Sequence, residues 1–525
     1  MKKGLLSAAA CLLTMIGNAQ TVQWAKNYPA LGEFTWPKYL ETDGSNELVF
    51  GEYFTAYSSS GLFLQKMDGG GTVLWSKTMN SPNAQVAGWA PPTVGGLAVN
   101  ASGNIYIGGN FGDTLDVEGT SYPINGSENI FLAKYASDGS MSWIQTYDHA
   151  RLSSIFSDGT NTYFLVTFTG SVNIFGQSYT SVGSSDLLIL ELGAADNLMW
   201  SKQLHGKISG VKFVKAASGN MFLAGYFSDE ALSYDSYSYA WSGGFNDYFL
   251  LKMDPAGNQL YYNLLWASQQ QSAHDMVVTA DEKVFVGGQS CWTDGCMGII
   301  KTFDAAGSLL ADQGFSGSTC SYGCGFDAND LVVTDASGVW MMGAEQNTLN
   351  YGIPEDDWHN ISLSKFDFSG NIISKDTFRV DAADGIEVSK GIAADNSGAL
   401  YMTAPFRGTA AFGSYTLTNS GTDQEFILIK MGFLATAVDD KEDPYLVKIS
   451  PNPSSGRFEL DYRNNGKSTY QLKVRDVLGQ LVLDEQKEIS GSDRPVIDLS
   501  GQPKGIYFLE IGGGSERKVE KLILN

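Results

Sequence analysis

The chain has 525 residues, a formal net charge of −23, 17% charged residues, 12% aromatic residues and 60 glycines. This apolar and aromatic content excludes a disordered chain, and glycine for tight turns with aromatics for pleated surfaces fits a turn-rich β protein. The negative charge repels phosphate backbones and anionic lipid, so neither nucleic acid nor a membrane surface is expected as a partner.

The chain opens Met1-Lys2-Lys3, runs through an apolar stretch from Leu5 to Ile16 and reaches Gly17-Asn18-Ala19 before Gln20. This charged, apolar, small-residue order predicts a cleavable signal peptide over residues 1–19. A lipoprotein reading on Cys11 competes, but Cys11 lies inside the apolar stretch and no leucine stands three residues before it. No later segment has the roughly 18 apolar residues of a membrane helix, so no transmembrane segment is expected in the mature chain.

A fixed period fills residues 20–433. The runs LAVNASGNIYIGG (97–109), VKAASGNMFLAG (214–225), LVVTDASGVWMMG (331–343) and IAADNSGALYMT (392–403) are close copies, and TDGSNELVFG (42–51), SDGTNTYFLV (157–166) and VVTADEKVFVGG (277–288) are weaker ones. Anchored on Gly44, Gly103, Gly159, Gly219, Glu282, Gly338 and Gly398, the seven copies are spaced near 59 residues. Each is followed by a second strand-turn-strand, such as LFLQKMDGGGTVLW (62–75) or YFLLKMDPAGNQLY (248–261). Two hairpins per period make four short antiparallel strands, the content of one propeller blade. The seventh copy stops at Lys430-Met431, before the strand that bears Trp75, Trp143 or Trp200 elsewhere, while VQWAKNY (22–28) resembles that strand. A ring must close to hide its edges, so residues 22–28 are expected to complete the last blade. The expected fold is all-β: a seven-bladed β-propeller closed by an N-terminal strand, then a small antiparallel β-sandwich.

These copies resemble the bacterial β-propeller repeat of SBBP type, found in exported and cell-surface proteins. The resemblance covers roughly residues 22–433 and implies a fold without implying a ligand.

Within the repeat, the lysine of F-L-x-K (Lys66, Lys134, Lys252, Lys301, Lys365, Lys430) falls where alternation turns a side chain outward, and no chemistry is assigned to it. Asp-x-x-Gly turns such as Asp68-Gly69-Gly70-Gly71 read as turn formers rather than calcium loops, since alternating acidic ligands are missing. Four cysteines, Cys291, Cys296, Cys320 and Cys324, predict two disulfides in an exported protein, with three pairings open. A tetrathiolate zinc site is the competing reading, although spacings of five and four residues differ from a zinc knuckle. No metal or other cofactor is expected.

The four histidines are isolated in sequence, which leaves little support for zinc hydrolysis or a Ser-His-Asp arrangement. Ser137-Asp138-Gly139-Ser140 has the wrong spacing for a sialidase box, and Arg151, Arg379 and Arg407 are too few for its arginine cluster. Trp24, Trp75, Trp143 and Trp200 share one repeat position and read as packing. Trp36, Trp89, Trp241, Trp292 and Trp358 lie off the repeat in expected loops, as candidates to stack on a glycan or anchor a protein.

A linker is expected over 434–446, acidic at Asp439-Asp440 and Glu442-Asp443. The charge also changes there: residues 21–440 hold 19 Lys+Arg against 44 Asp+Glu, whereas 441–525 hold 13 of each. The final domain, 447–525, contains Ile449-Ser450-Pro451-Asn452-Pro453 with Gly456 and Phe458, then Val474, Asp476, Gly479-Gln480, Gly505-Ile506-Tyr507-Phe508, Lys518-Val519 and Lys521-Leu522. These segments resemble the type A sorting domain of the type IX secretion system. That resemblance implies the type IX machinery as a partner and a chain that ends outside the cell or on its surface. The expected function is a binding or adhesion platform for a glycan or surface protein. The alternatives are a secreted carbohydrate-active enzyme using paired carboxylates, or a structural surface protein without a discrete ligand. No catalytic residue is legible.

Overall fold

The computed structural model describes residues 20–29, 34–56, 59–81, 92–125, 128–266, 270–292, 295–315, 326–333, 338–348, 357–380, 391–406, 408–419, 421, 423–433, 447–462, 468–476, 480–489, 494–513 and 516–525. The expected signal peptide of residues 1–19, Trp89, Cys320, Cys324 and the expected linker at 434–446 lie outside the described residues. The described residues form strands and turns without a helix, so the protein is all-β. Two compact units divide between Leu434 and Ala435.

Among the described residues the first unit contains seven sheets with four antiparallel core strands each, and two separate two-stranded hairpins. In sheet 2 the order from inside outward is Thr93–Val99, Ile105–Phe111, Asn129–Tyr135 and Met141–Asp148. The inner strands of the other sheets are Phe34–Thr42, Ala150–Ser157, Ile208–Lys215, Gln270–Val278, Phe326–Val333 and Gly391–Ala394. Each inner strand packs on that of the next sheet, and the last packs on the first. In sheets 1 to 6 the inner strand carries a bulge at one repeated position, for example between Pro37 and Tyr39 or between Ala273 and Asp275. The bulge sharpens the local twist, and one buried apolar residue follows it each time: Leu40, Leu97, Ile155, Phe213, Met276 and Leu331.

The outer strand of sheet 7 comes from the other end of the chain. Gln20–Tyr28 pairs antiparallel with Glu425–Phe433, placing Trp24 opposite Lys430 and Ala25 opposite Ile429. Its neighbours then explain the shared tryptophan. Gly139 closes the turn Ala136-Ser137-Asp138-Gly139 and Gly257 the turn Asp254-Pro255-Ala256-Gly257, at φ +83° and +84°, the left-handed region that the bulged hairpin turn requires. A Cβ at either would stand 2.8 Å from the indole of Trp75 or Trp200, which belongs to the preceding sheet. Trp24 lies against the turn glycine Gly71 of sheet 1 in the same way, 3.0 Å from a Cβ built there. At these three interfaces a tryptophan ring rests on a turn of the next sheet, whereas Gly370 of sheet 6 meets Ala311 and Thr302 of sheet 5. The turn aspartates act on their own backbone: Asp68 Oδ1 accepts from the N–H groups of Gly70 and Thr72 at 2.9 and 2.7 Å, and Asp254 and Asp367 repeat the pattern.

The lysine expectation fails. Lys66, Lys134, Lys252 and Lys301 are buried, not turned outward. Their strand is the third of four and is covered on both faces by neighbouring sheets, so alternation does not point to solvent; Asn129–Tyr135 and Asp247–Met253 are buried at every residue. Lys66 Nζ meets Asp43 Oδ2 at 2.9 Å and Glu47 Oε2 at 2.6 Å, and donates to Ser137 Oγ of sheet 2 at 2.6 Å. Lys134 reaches Asp196 of sheet 3 at 2.8 Å, and Lys252 reaches Glu282 of sheet 5 at 2.6 Å. In sheet 3 the charge is reversed: Glu191 holds the lysine's place and accepts from Tyr163, while Lys215 comes from sheet 4. The repeated lysine is an ionic latch, between sheets at Lys134 and Lys252 and within one sheet at Lys66, Lys301 and Lys430.

Between the second and third strands, sheets 2, 3, 4 and 7 insert a short hairpin: 115–122, 171–180, 232–239 and 408–419. Each lies against the outer strand of the preceding sheet, and two pair with it, Val117 opposite Met79 and Ala410 opposite Val380.

In the second unit, strands Val447–Ser450, Arg457–Tyr462 and Val496–Asp498 form one sheet. Leu481–Ile489, Ser468–Asp476, Gly505–Gly513 and Glu516–Leu524 form the other. Both supply one core, Phe458, Leu460 and Ile497 meeting Leu472, Val474 and Leu509. Asn452, inside the Pro-Asn-Pro motif, accepts from Ile523 N–H at 2.9 Å and donates to Lys521 O at 2.6 Å. The opening motif is thereby tied to the closing strand.

Candidate functional site

Of the off-repeat tryptophans, Trp89 lies outside the described residues. Trp36 sits in the inner strand of sheet 1, Trp292 in the second strand of sheet 5 and Trp358 in the third strand of sheet 6, so all three belong to strands rather than connecting loops. The expectation missed this because strands in sheets without an inserted hairpin run past the repeat: the second strand is Val284–Trp292 in sheet 5, against Ile105–Phe111 in sheet 2. Trp241 does lie in a loop, but it packs half-buried on the cluster containing Phe249 and Met253 and donates from Nε1 to Phe245 O at 2.7 Å.

A groove of about 510 Å³ forms where the outer edge of sheet 2 meets sheet 3. Its wall is Gln145 from the outer strand of sheet 2, Phe175 to Gln177 from the inserted hairpin, and Asp196 to Leu198 from the turn before the outer strand of sheet 3. Phe175 and Gly176 have φ of 50° and 79°, so both central turn positions are left-handed, as a two-residue hairpin requires. A bulky residue there is strained, and packing holds it: the ring lies 6.2 Å from Trp143, 5.8 Å from Tyr147 and 5.8 Å from Phe164. Tyr147 hydroxyl donates to Gln145 Oε1 and accepts from Phe175 N–H, and burial pushes its ionisation up to about 12.

The groove has a local cause in the sequence. The sheet 2 turn is Ala136-Ser137-Asp138-Gly139, and Trp75 Nε1 donates to Ser137 O at 3.0 Å. Sheet 3 has Gly193-Ala194-Ala195-Asp196 instead, with Asp196 at φ +60° and its carboxylate held by Lys134. Trp143 Nε1 then finds no hydrogen-bond partner among the described residues. The wall offers the amides of Gln145, Gln177 and Asn197, one aromatic edge, and a carboxylate already neutralised. Amides supply a donor and an acceptor side by side, the pattern that pairs with neighbouring hydroxyls.

Charged side chains also converge on the inner strands. Lys212 of sheet 4 meets Asp275 of sheet 5 at 3.0 Å, and Asp275 accepts from Leu331 N–H of sheet 6 at 2.8 Å. Burial pushes the carboxyl of Glu41, from sheet 1, up to about 7, with Lys212 pulling it down and Asp275 pushing it up. Glu41 retains some accessible surface although protein surrounds it, as a side chain in a narrow gap does. His205 Nδ1 lies 2.7 Å from Oδ2 of fully buried Asp186. That carboxylate also accepts from Val182, Gly183 and Gly206 N–H groups and from Gln203. Burial raises its ionisation, but His205 and these donors outweigh burial and hold it below the usual range. Asp186 organises a loop, and no hydroxyl or thiol is bonded to His205 among the described residues. No group of three His, Cys, Asp or Glu side chains able to hold a metal occurs among them either.

Residues 448–525 match the family described as a secretion system C-terminal sorting domain. The chain is exported. Its sorting domain sends it through the type IX secretion system to the cell surface or the medium. The SBBP repeat family is not matched over residues 22–433, and no curated protein matches the chain. Among solved structures, a PL25 ulvan lyase bound to a GlcA–Rha3S chain is 9% identical over 72% of this chain and 93% of its own, with a TM-score of 0.43. The polysaccharide lyase Uly1 is 12% identical over 81% and 94%, with a TM-score of 0.40. A protein of unknown function from Bacteroides caccae is 10% identical over 65% and 94%, with a TM-score of 0.32. Likenesses this distant carry no argument about this chain. No helix among the described residues is long and apolar enough to cross a membrane.

Proposed function

We propose that the first unit is a seven-bladed β-propeller, closed by residues 22–28, that serves outside the cell as a binding platform for neutral glycan. Cyclic packing of the seven inner strands and the pairing of Gln20–Tyr28 with Glu425–Phe433 support the architecture. Residues 1–19 act as the signal peptide and 434–446 as the linker to the sorting domain. The observation that carries the binding reading is the groove of Gln145, Phe175, Gln177 and Asn197, amide-rich, edged by an aromatic ring and without an unpaired charge. The secreted chain should bind neutral oligosaccharides on a glycan and polysaccharide array without releasing product. Phe175→Ala and Asn197→Ala should each weaken binding about tenfold, the loss of one good contact. Unchanged affinity in both variants would place the ligand elsewhere.

A second reading, a carbohydrate-active enzyme on paired carboxylates, has one observation in its favour. Glu41 holds its proton to about 7 while Asp275 is locked in an ion pair, the division of roles that an acid and a carboxylate partner need. Product release from an array hit, abolished in Glu41→Gln, would select it.

A further inference from the structure

Cys291 and Cys296 face each other across a hairpin. In sheet 5 the strands Val284–Trp292 and Gly295–Phe303 pair with Trp292 opposite Gly295 and Cys291 opposite Cys296. Two residues connect them. In a hairpin with a two-residue connection, the pair beside the turn is hydrogen-bonded and the next pair is not. Cys291 and Cys296 therefore occupy a non-hydrogen-bonded pair, where Cα atoms stand about 4.5 Å apart, inside the roughly 4.4–6.8 Å that a disulfide spans.

On its inner side the hairpin is paired to this end, with Cys291 opposite Gln270 of the first strand. Among the described residues the outer strand Leu309–Phe315 pairs with the third strand as far as Gly298. Sheet 5 has no inserted hairpin between its second and third strands, unlike sheets 2, 3, 4 and 7. A covalent link at this register would join the second and third strands one pair from the turn.

We infer that Cys291 and Cys296 form a disulfide across the tip of the sheet 5 hairpin. The register thus selects among the three pairings that sequence leaves open. The link arises by exchange with the disulfide of a thiol oxidase met during export. The thiolate of one cysteine attacks a sulfur of the oxidant's disulfide, the second thiolate displaces the oxidant, and the S–S bond is left. The two protons lost by the cysteines end on the oxidant, which departs as a dithiol.

The test is a peptide map of the full secreted chain, alkylated without reduction and cut on the N-terminal side of aspartate. Cleavage before Asp281, Asp294 and Asp304 separates residues 281–293 from 294–303, so the link joins two fragments that reduction parts. The fragment 312–326, which holds both Cys320 and Cys324, should be joined to neither. A parallel sample of reduced chain, refolded in a glutathione redox buffer, should give the same linked pair independently of export. Linkage of Cys291 or Cys296 to the 312–326 fragment would overturn the inference. Four alkylated cysteines in both samples, or stoichiometric zinc with four thiols, would do the same.

Discussion

Replacing Lys66 by methionine removes the most buried of the latch cations while keeping its apolar stem. The side chains of Lys66 and Asp43 are 1% and 4% exposed, so solvent cannot compensate the stranded carboxylate. Breaking a buried pair by deleting one partner costs about 3–5 kcal/mol. Unfolding entropy is near 2.1 cal/mol/K per residue, so for a unit of roughly 400 residues this converts to a fall in Tm of about 3–6 °C. Calorimetry of the secreted chain reads it. Burial pushes Asp43 upward, but Lys66 and the N–H groups of Glu47 and Ser45 outweigh it and hold the carboxyl below its usual range. A depressed carboxylate contributes stability above its unfolded pKa of about 3.9 and loses it as pH falls through the folded value. The gap between wild type and variant should therefore close below about pH 4. Burial lowers the Lys66 ionisation, and Glu47 and Asp43 more than reverse that. Its contribution is complete below about pH 10.4 and disappears as pH rises through its raised value. Adding Asp43→Asn and Glu47→Gln to Lys66→Met should recover part of the loss, since the penalty lies in the uncompensated charges. A Tm within 1 °C of wild type at pH 7 for Lys66→Met, on a scale where about 1 °C is about 1 kcal/mol, would refute the latch.

Gly139→Ala should lower Tm, because alanine at φ +83° costs about 1–2 kcal/mol before its Cβ meets the Trp75 ring at 2.8 Å. Adding Trp75→Ala should remove the steric share of that loss. Glu41 has a folded pKa raised to about 7, so its ionisation opposes folding as pH rises from its unfolded value through 7. Glu41→Gln should be more stable than wild type at pH 8 and no more stable at pH 4, as urea midpoints at both values would show. Asn452→Ala removes two bonds to the final strand, a loss of about 1 kcal/mol, and should raise amide exchange at Ile523 and reduce the secreted fraction.

The periodic features were legible in the sequence because local chemistry imposes them. The turn at Asp68-Gly69-Gly70-Gly71 forms from local contacts, since Asp68 needs only its own following N–H groups and Gly71 only its freedom at positive φ. The strand missing after Lys430 could be found in residues 22–28 for the same reason: Trp24 carries the signature of an outer strand. Asn452 and the Pro-Asn-Pro motif likewise announced the sorting domain.

Facing and neighbourhood were decided by tertiary structure. Alternation predicts an outward Lys66 only if one face of its strand meets water, and sheet stacking covers both. The partners of these lysines, Asp196 and Glu282, lie 62 and 30 residues away in the next sheet, beyond the reach of any local rule. Trp36, Trp292 and Trp358 read as loop residues because strand length past the repeat is set by what each sheet must pair with. The groove at Gln145, Phe175 and Asn197 joins the outer strand of sheet 2 to two segments of sheet 3. Its hairpin left a faint sequence signal, a Ser-Tyr after the turn in TSY (120–122), QSY (177–179) and YSY (237–239). A turn is a contract between neighbours in sequence, whereas a groove or an ion pair between sheets exists only when the chain has brought distant segments together.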